Sequence, residues 1–232
     1  HQMGVKPAAC VDEMLSQGRS SFYEGPAHQR TVYSPMPEKA LVRPGGAGRV
    51  GFVAQDPKQV TVEALLAQRA PVLQNDGAML LDMGEGVACL SFRTKLNTID
   101  MDVIEMVEQA IDRCQRDFEA LVVGNDAAEA FSAGANLMMI AMVAGQGNWQ
   151  RMEQVIQSFQ QANQKIRFAS IPVVVAPFGL TLGGGAELAL HASHLRAHAE
   201  LYMGLVETGV GLIPAGGGCK EMLGRALASI PE

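Results

Sequence analysis

A run of three consecutive glycines constrains the fold of this chain more than any other feature. The glycines, at 183–185, lie in the stretch PFGLTLGGGAELAL at residues 177–190. Without side chains they can adopt positive φ and let other atoms approach the bare backbone. The β-branched run 171–176 predicts a buried strand before them, and AELAL predicts a helix after them. Because N–H groups at a helix start are free, this strand–turn–helix unit predicts a place for a developing anion beside Glu187.

A second glutamate, Glu207, follows Glu187 by twenty positions and also lies beside glycine-rich backbone. An unpaired carboxylate in such apolar surroundings is costly, which favours a functional role. Two carboxylates converging on one cleft can divide acid and base roles according to their environments. Spacing alone leaves a structural alternative open, in which each glutamate caps a helix or pairs with an arginine.

Three other motifs match the signatures of a nucleotide site, a serine nucleophile or a metal site only in part. The triplet is followed by no GK[ST] and lacks the GxGxxG spacing, which argues against a nucleotide site. Ser132, in AFSAG, resembles a nucleophile elbow, but its predicted strand ends about seven residues too early. His191, His194 and His198 have a metal-like spacing without a completing cysteine or carboxylate, so no metal is expected.

Composition excludes several classes of partner. A net charge of −6 without a Lys/Arg-rich stripe argues against nucleic acid. No window approaches the 18 or so apolar residues of a membrane span. Four scattered cysteines without a CxxC pair predict thiols in a reducing, cytoplasmic compartment.

The chain divides into two parts with different sequence character. Residues 1–76 are rich in Pro and Gly between two short predicted helices, 11–17 and 60–68, and predict a partly extended linker or tail. Residues 77–232 alternate strand and helix patterns and predict an α/β domain with a largely parallel sheet. The predicted elements are a hairpin of 79–83 and 87–92, a helix capped by Asp100, a strand at 120–123, a long helix after Trp149, and a last helix from about Lys220.

Three blocks of the second part resemble the enoyl-CoA hydratase/isomerase (crotonase) superfamily. FSAGANL at 131–137 resembles the family's first oxyanion-hole block, and LGGGAELAL at 182–190 resembles its second block with a catalytic glutamate. LYMGLVETGVGLIPAGGG at 201–218 is similar to the block with the second catalytic glutamate. The resemblance implies an α/β fold: a crotonase-like spiral of ββα units with surrounding helices.

The resemblance also implies roles for individual residues. The backbone N–H groups of Ala135 and Gly184 would hold the thioester oxygen of an acyl-CoA. Glu187 and Glu207 would position one water, with one carboxylate taking its proton while the other protonates carbon 2. Contacts to the CoA moiety are implied for a further set, Arg93, Lys95, Ala133, Asn136 and Leu137. The substrate carries the coenzyme A, so hydration itself would need no cofactor.

A narrower resemblance concerns long multifunctional fatty-acid oxidation proteins. MLSQGRSSFYEG at 14–25 is similar to the tail of their NAD-dependent 3-hydroxyacyl-CoA dehydrogenase part. The implied function is hydration of trans-2-enoyl-CoA to 3-hydroxyacyl-CoA in β-oxidation, with an isomerase or a non-catalytic CoA-binding or assembly module as alternatives. The family's last helices, which close the acyl pocket and build trimers, are missing. The resemblance therefore predicts a domain truncated at its C-terminus and leaves a homo-oligomer in doubt.

Overall fold

The computed structural model describes residues 9–16, 18, 23–24, 31–33, 50–52, 60–126, 130–228 and 230. The chain forms two compact units, His1–Val60 and Thr61–Glu232. The first contains helix α1 (Ala9–Ser16) and an antiparallel sheet of strands β1 (Tyr23–Glu24), β2 (Thr31–Tyr33) and β3 (Val50–Phe52). The sequence analysis predicted the helix but no sheet there, because strands this short leave no periodic pattern.

The second unit carries the remaining helices and strands. Its helices are α2 (Val62–Gln68), α3 (Met101–Asp117), α4 (Leu137–Gly145), α5 (Trp149–Arg167), α6 (Gly184–Leu190) and α7 (Gly218–Ala228). Its strands are β4 (Leu73–Gln74), β5 (Ala78–Gly84), β6 (Val87–Phe92), β7 (Ala120–Val123), β8 (Ala130–Ser132), β9 (Val173–Val175), β10 (Leu180–Leu182), β11 (His194–Leu195) and β12 (Tyr202–Gly204). Two 3₁₀ turns, Lys95–Asn97 and Glu207–Val210, complete it. None of the described helices is both long and apolar enough to cross a bilayer.

A six-stranded sheet in the order β11-β9-β7-β6-β5-β4 forms the scaffold. The predicted hairpin is confirmed, since β5 and β6 pair antiparallel. From β6 outward the pairs with β7, β9 and β11 are all parallel, as the alternation of strands and helices predicted. Strand β4, which the sequence analysis assigned to the linker, pairs with β5 and belongs to this sheet.

Helix α3 covers this sheet and shows why the sequence folds as it does. The Asp100 side chain accepts a hydrogen bond from the Val103 N–H, which confirms the predicted cap. Apolar side chains at three- and four-residue steps then face the sheet, and each fully buried one contributes about 1.5–3 kcal/mol. The buried set is Val103, Ile104, Met106, Val107, Ala110, Ile111 and Cys114.

Strands β8, β10 and β12 form a separate parallel sheet, which the sequence analysis did not predict. Each strand has three residues, too few to show alternation. Strand β10 is central, with Leu180 opposite Ala130 on one side and Tyr202 on the other. This small sheet positions the candidate site.

Candidate active site

The three parallel strands deliver three sequence-predicted loops to one place. Strand β8 runs into Ala133–Ala135, β10 into Gly183 and Gly184, and β12 into Leu205–Glu207. Because the carboxyl ends of parallel strands meet at one edge, these loops become neighbours although they are far apart in sequence. A hydrogen bond of 2.9 Å from the Gly183 N–H to the Gly204 carbonyl joins two of them.

The first two loops touch through bare backbone. Gly134 has φ +88°, and a Cβ there would lie 2.6 Å from the Leu182 carbonyl oxygen and 3.2 Å from the Gly184 nitrogen. Only glycine fits this position without moving the second loop. A Cβ on Gly184 would in turn lie 3.5 Å from the Ala135 nitrogen. The Ala135 and Gly184 amides are therefore neighbours, as the sequence analysis required.

Neither of these amides is engaged by the described part of the chain, and Gly184 is itself buried. Within the described residues, neither the Ala135 N–H nor the Gly184 N–H donates a hydrogen bond to the protein. Ala135 is held in place by its flanks, since Ile99 N–H donates to Gly134 and Asn136 N–H donates to Ile99. Two fixed, adjacent donors of this kind can stabilise negative charge on a carbonyl oxygen.

Glu187 lies on α6 with only 2% of its surface exposed. Its Oε1 accepts a 2.9 Å hydrogen bond from the Gly218 N–H. Burial raises the pKa of this carboxyl above its usual value, and hydrogen bonds from the loop of Gly216, Gly217 and Gly218 partly oppose that rise. The negative charge of Glu207 raises the pKa further. A raised pKa lets this group exchange protons nearer neutral pH.

Glu207 begins the 3₁₀ turn after β12, near enough to Glu187 for its charge to act on that carboxyl. A Cβ on Gly183, which has φ +51°, would lie 3.1 Å from Glu207 Oε1. The other oxygen, Oε2, is shielded from solvent and accepts no hydrogen bond from the described residues. The structure thus brings Glu187 and Glu207 together and pairs neither with an arginine among those residues.

The residues expected to contact CoA are only partly brought together. Ala133 N–H donates to the Leu96 carbonyl, which places the turn bearing exposed Lys95 beside the first loop. Asn136 caps α4 through its Oδ1, and Leu137, 49% exposed, follows it. Arg93 is exposed, and its Nη1 donates to the Asn75 carbonyl at 3.4 Å.

The competing motifs have structural explanations. Ser132 is fully buried, its Oγ donates to the Asn97 carbonyl at 2.7 Å, and the Gly134 N–H donates to it. It braces the first loop and offers no exposed nucleophile. His191 is fully buried whereas His194 and His198 are exposed, so the three do not converge, and the described residues contain no cluster suited to a metal.

Sequence reasoning missed the glycine loop 216–218 as part of this site. A Cβ on Gly216 would lie 2.5 Å from Glu187 Oε2, and one on Gly218 would lie 2.8 Å from Glu187 Cγ. The signal was present, because three consecutive glycines again indicate a close approach to backbone. Which group approaches them depends on long-range packing and was not visible in the pattern.

A sequence model of the family described as "Enoyl-CoA hydratase/isomerase" matches residues 85–230. The chain belongs to this family. The crystal structure of an enoyl-CoA hydratase from Bacillus anthracis has a TM-score of 0.57 at 22% identity, covering 63% of this chain and 57% of that one. The predicted α/β crotonase-like fold is thereby confirmed.

Two relatives of this family member carry names from fatty-acid oxidation. A Bacillus subtilis "Probable 3-hydroxyacyl-CoA dehydrogenase" is 38% identical over 221 residues, which cover 95% of this chain and 26% of the relative. A Rickettsia felis "Putative fatty acid oxidation complex trifunctional enzyme" is 33% identical over 165 residues, which cover 70% of this chain and 22% of the relative. The chain spans about a quarter of the length of these curated relatives.

Proposed function

We propose that this domain adds water to trans-2-enoyl-CoA to give 3-hydroxyacyl-CoA in fatty-acid β-oxidation. One observation carries the proposal: two carboxylates, Glu187 and Glu207, lie within reach of each other's charge and near two unengaged amide donors. A single carboxylate is enough to shuttle a proton between carbons, as an isomerase does. Addition of water needs one group to take a proton and another to give one, so two facing carboxylates favour hydration.

The amides of Ala135 and Gly184 would bind the thioester carbonyl oxygen. As hydroxide character develops at carbon 3, electron density moves onto this oxygen and an enolate forms. Preorganised donors act mainly on that charge, and removing one costs on the order of 3–4 kcal/mol of barrier. Both donors are backbone groups. The sequence preserves them by having no side chain at Gly134 and Gly184, where a Cβ would crowd neighbouring atoms.

The glutamate pair would handle the protons of one water molecule. Its hydroxyl bonds to carbon 3, its proton passes to one carboxylate, and the other carboxyl protonates carbon 2. This balance requires one carboxyl to begin protonated and the other ionised. Burial of Glu187 and repulsion from Glu207 both favour that singly protonated pair.

CoA contacts are assigned to the backbone and side chains that follow β8. Ala133, Asn136 and Leu137 border the amide donors, and Lys95 lies on the adjoining turn. An ammonium group there suits a CoA phosphate. Arg93 is the other basic candidate, and its Nη1 is the donor that contacts the Asn75 carbonyl.

The domain would act within a longer protein that also oxidises 3-hydroxyacyl-CoA with NAD. Support comes from the names of the two relatives and from their length, roughly three to four times that of this chain. The product of hydration is the substrate that such a dehydrogenase consumes. Sequencing the open reading frame upstream of Val5 tests this arrangement, and an unrelated upstream sequence would contradict it.

Loss of absorbance of crotonyl-CoA, followed with the full-length protein, tests the hydratase proposal. We expect turnover in the wild type and in Glu200→Gln, a change at an exposed glutamate. Glu187→Gln and Glu207→Gln should each lower kcat by at least about 10²-fold. Hydration that survives both changes would refute the mechanism. Conversion of a 3-enoyl-CoA without hydration would favour an isomerase, and binding without turnover would favour a CoA-binding module.

A further inference from the structure

Two fully buried polar side chains lie behind the glutamate pair. Asn163 on α5 and His191 at the end of α6 are both 0% exposed. Burying an amide or an imidazole costs free energy unless hydrogen bonds compensate, so the position of each requires an explanation. Neither side chain takes part in the proposed chemistry.

Asn163 holds the glycine loop 216–218 from the side of α5. Its Nδ2 donates a 3.0 Å hydrogen bond to the Gly216 carbonyl. One turn earlier on the same helix, the Phe159 ring packs against the positions where Gly184 and Gly216 would carry a Cβ. Helix α5 therefore fixes the path of this loop by the Asn163 hydrogen bond and the Phe159 ring, and Gln160 Nε2 adds a 2.7 Å hydrogen bond to the preceding Ala215 carbonyl.

His191 holds the same loop from the side of α6. Its Nδ1 lies 2.7 Å from the Glu187 carbonyl oxygen. A carbonyl oxygen only accepts, so Nδ1 carries a proton and donates. The far edge of the ring contacts Gly217, where a Cβ would lie 3.1 Å from Cε1. One side chain thus links the backbone of Glu187 to the loop that binds the Glu187 carboxylate.

We propose that Asn163 and His191 are positioning residues that clamp the glycine loop 216–218 so that the Gly218 N–H orients the carboxylate of Glu187. The inference rests on the proposed catalytic role of Glu187. It explains why an amide and an imidazole are fully buried beside Glu187 and Glu221. Both act through the loop, and neither touches the substrate.

The charged groups around this clamp define the expected pH effect. Glu207 faces the Glu187 carboxylate. Behind it, His191 Nε2 lies 3.7 Å from Glu221 Oε1, and Glu221 also pairs with Lys220 at 3.0 Å and with Arg167 at 3.5 Å. The Gly218 hydrogen bond opposes the burial-driven rise in the pKa of Glu187. Releasing the loop should therefore raise that pKa further. Because the raised pKa makes Glu187 the carboxyl that starts protonated, the alkaline limb of kcat should move to higher pH.

Asn163→Leu tests the first contact, since leucine has a similar size but no donor. Gln157→Ala is the matched control, because Gln157 is an exposed residue of α5 whose amide bonds only Glu153. We expect kcat for crotonyl-CoA to fall about 10- to 100-fold in Asn163→Leu with KM within about threefold of wild type. The alkaline limb should shift upward in Asn163→Leu and stay in place in the control.

Two substitutions separate the functions of His191. His191→Asn keeps a donor near the Nδ1 position, whereas His191→Phe keeps a ring against Gly217. If both contacts position the loop, each variant should lose part of kcat, and His191→Ala should lose more than either. Asn163→Ser, which keeps a hydroxyl donor, provides the comparison if Asn163→Leu does not fold.

Exchange of the Gly218 amide with solvent, followed by NMR, gives a readout that does not need turnover. We expect faster exchange in Asn163→Leu and no change in Gln157→Ala. A wild type without hydratase activity would refute the proposed function. The exchange result would still show whether Asn163 holds the glycine loop 216–218. Unchanged Gly218 exchange, or a kcat within about threefold of wild type with an unmoved alkaline limb, would overturn the inference.

Discussion

A single methyl group at Gly216 should disable the Glu187 carboxylate without touching it chemically. In Gly216→Ala the new Cβ would lie 2.5 Å from Glu187 Oε2, against an ordinary contact limit of about 3.4 Å. On its other side the methyl group meets the Phe159 ring, so it has no free direction in which to move. The carboxylate or the loop must shift by roughly 0.9 Å.

This shift has two measurable consequences. Overpacking of a buried site typically costs about 1–3 kcal/mol of unfolding free energy. A displacement of about 1 Å at a catalytic group typically lowers the rate by about 10²-fold. We expect a kcat loss of that size in the crotonyl-CoA assay, with KM changed by no more than a few-fold. The matched control is Gly224→Ala on α7, where a Cβ would meet no atom within 4 Å. A folded Gly216→Ala protein with a kcat within about threefold of wild type would refute the placement of Glu187 against this loop.

Three further predictions follow from burial and hydrogen bonding. Burial raises the pKa of Glu187, so its favourable contribution to stability is complete below about pH 4.5 and is lost as pH rises through the folded-state pKa. Glu187→Gln should therefore unfold at higher urea than wild type at pH 7 and at similar urea near pH 4; equal midpoints at pH 7 would contradict this. Burial raises the pKa of the Cys89 thiol to about 12 and that of the Cys114 thiol to about 11. Neither thiol should therefore react with Ellman's reagent at pH 8 until the protein unfolds. Cys219, which is exposed, should react at once. Ser132→Ala should lower unfolding free energy by about 1–3 kcal/mol and kcat by less than about tenfold, because Ser132 braces the first loop; a loss above about 10³-fold in a folded protein would restore the nucleophile interpretation.

Much of the scaffold was predictable because its signals are local. The hairpin of β5 and β6, the Asp100 cap and the amphipathic face of α3 each arise within a few consecutive residues. The glycine triplet also predicted its own turn, because Gly183 takes φ +51° and α6 begins at the next residue. Propensity, capping and periodicity are sufficient for features of this kind.

The small parallel sheet was not predictable from these local signals. Its strands β8, β10 and β12 owe their conformation to pairing across long stretches of chain, and three residues carry no distinct period. Tertiary pairing therefore decided what local propensity left open. The neighbourhood of Ala135 and Gly184 was expected only from resemblance, and the geometric reason for it is the contact of Gly134 with Leu182.

Asn163 and His191 show a different limit of sequence reasoning. The sequence analysis did not single out Asn163, and it considered His191 only in rejecting a metal site. Their partners are backbone carbonyls, which every residue type provides, so no pattern of side chains pointed to them.

The most direct test of the paired glutamates is the pKa of Glu187, measured by ¹³C NMR of its carboxyl carbon. The resonance is assigned by its loss in Glu187→Gln. We predict a wild-type pKa above the ordinary value of 4.5, and a lower pKa in Glu207→Gln because a facing negative charge has been removed. Glu200→Gln, at an exposed position, should leave the pKa unchanged. A Glu187 pKa that does not fall in Glu207→Gln would contradict the claim that the two glutamates lie close together.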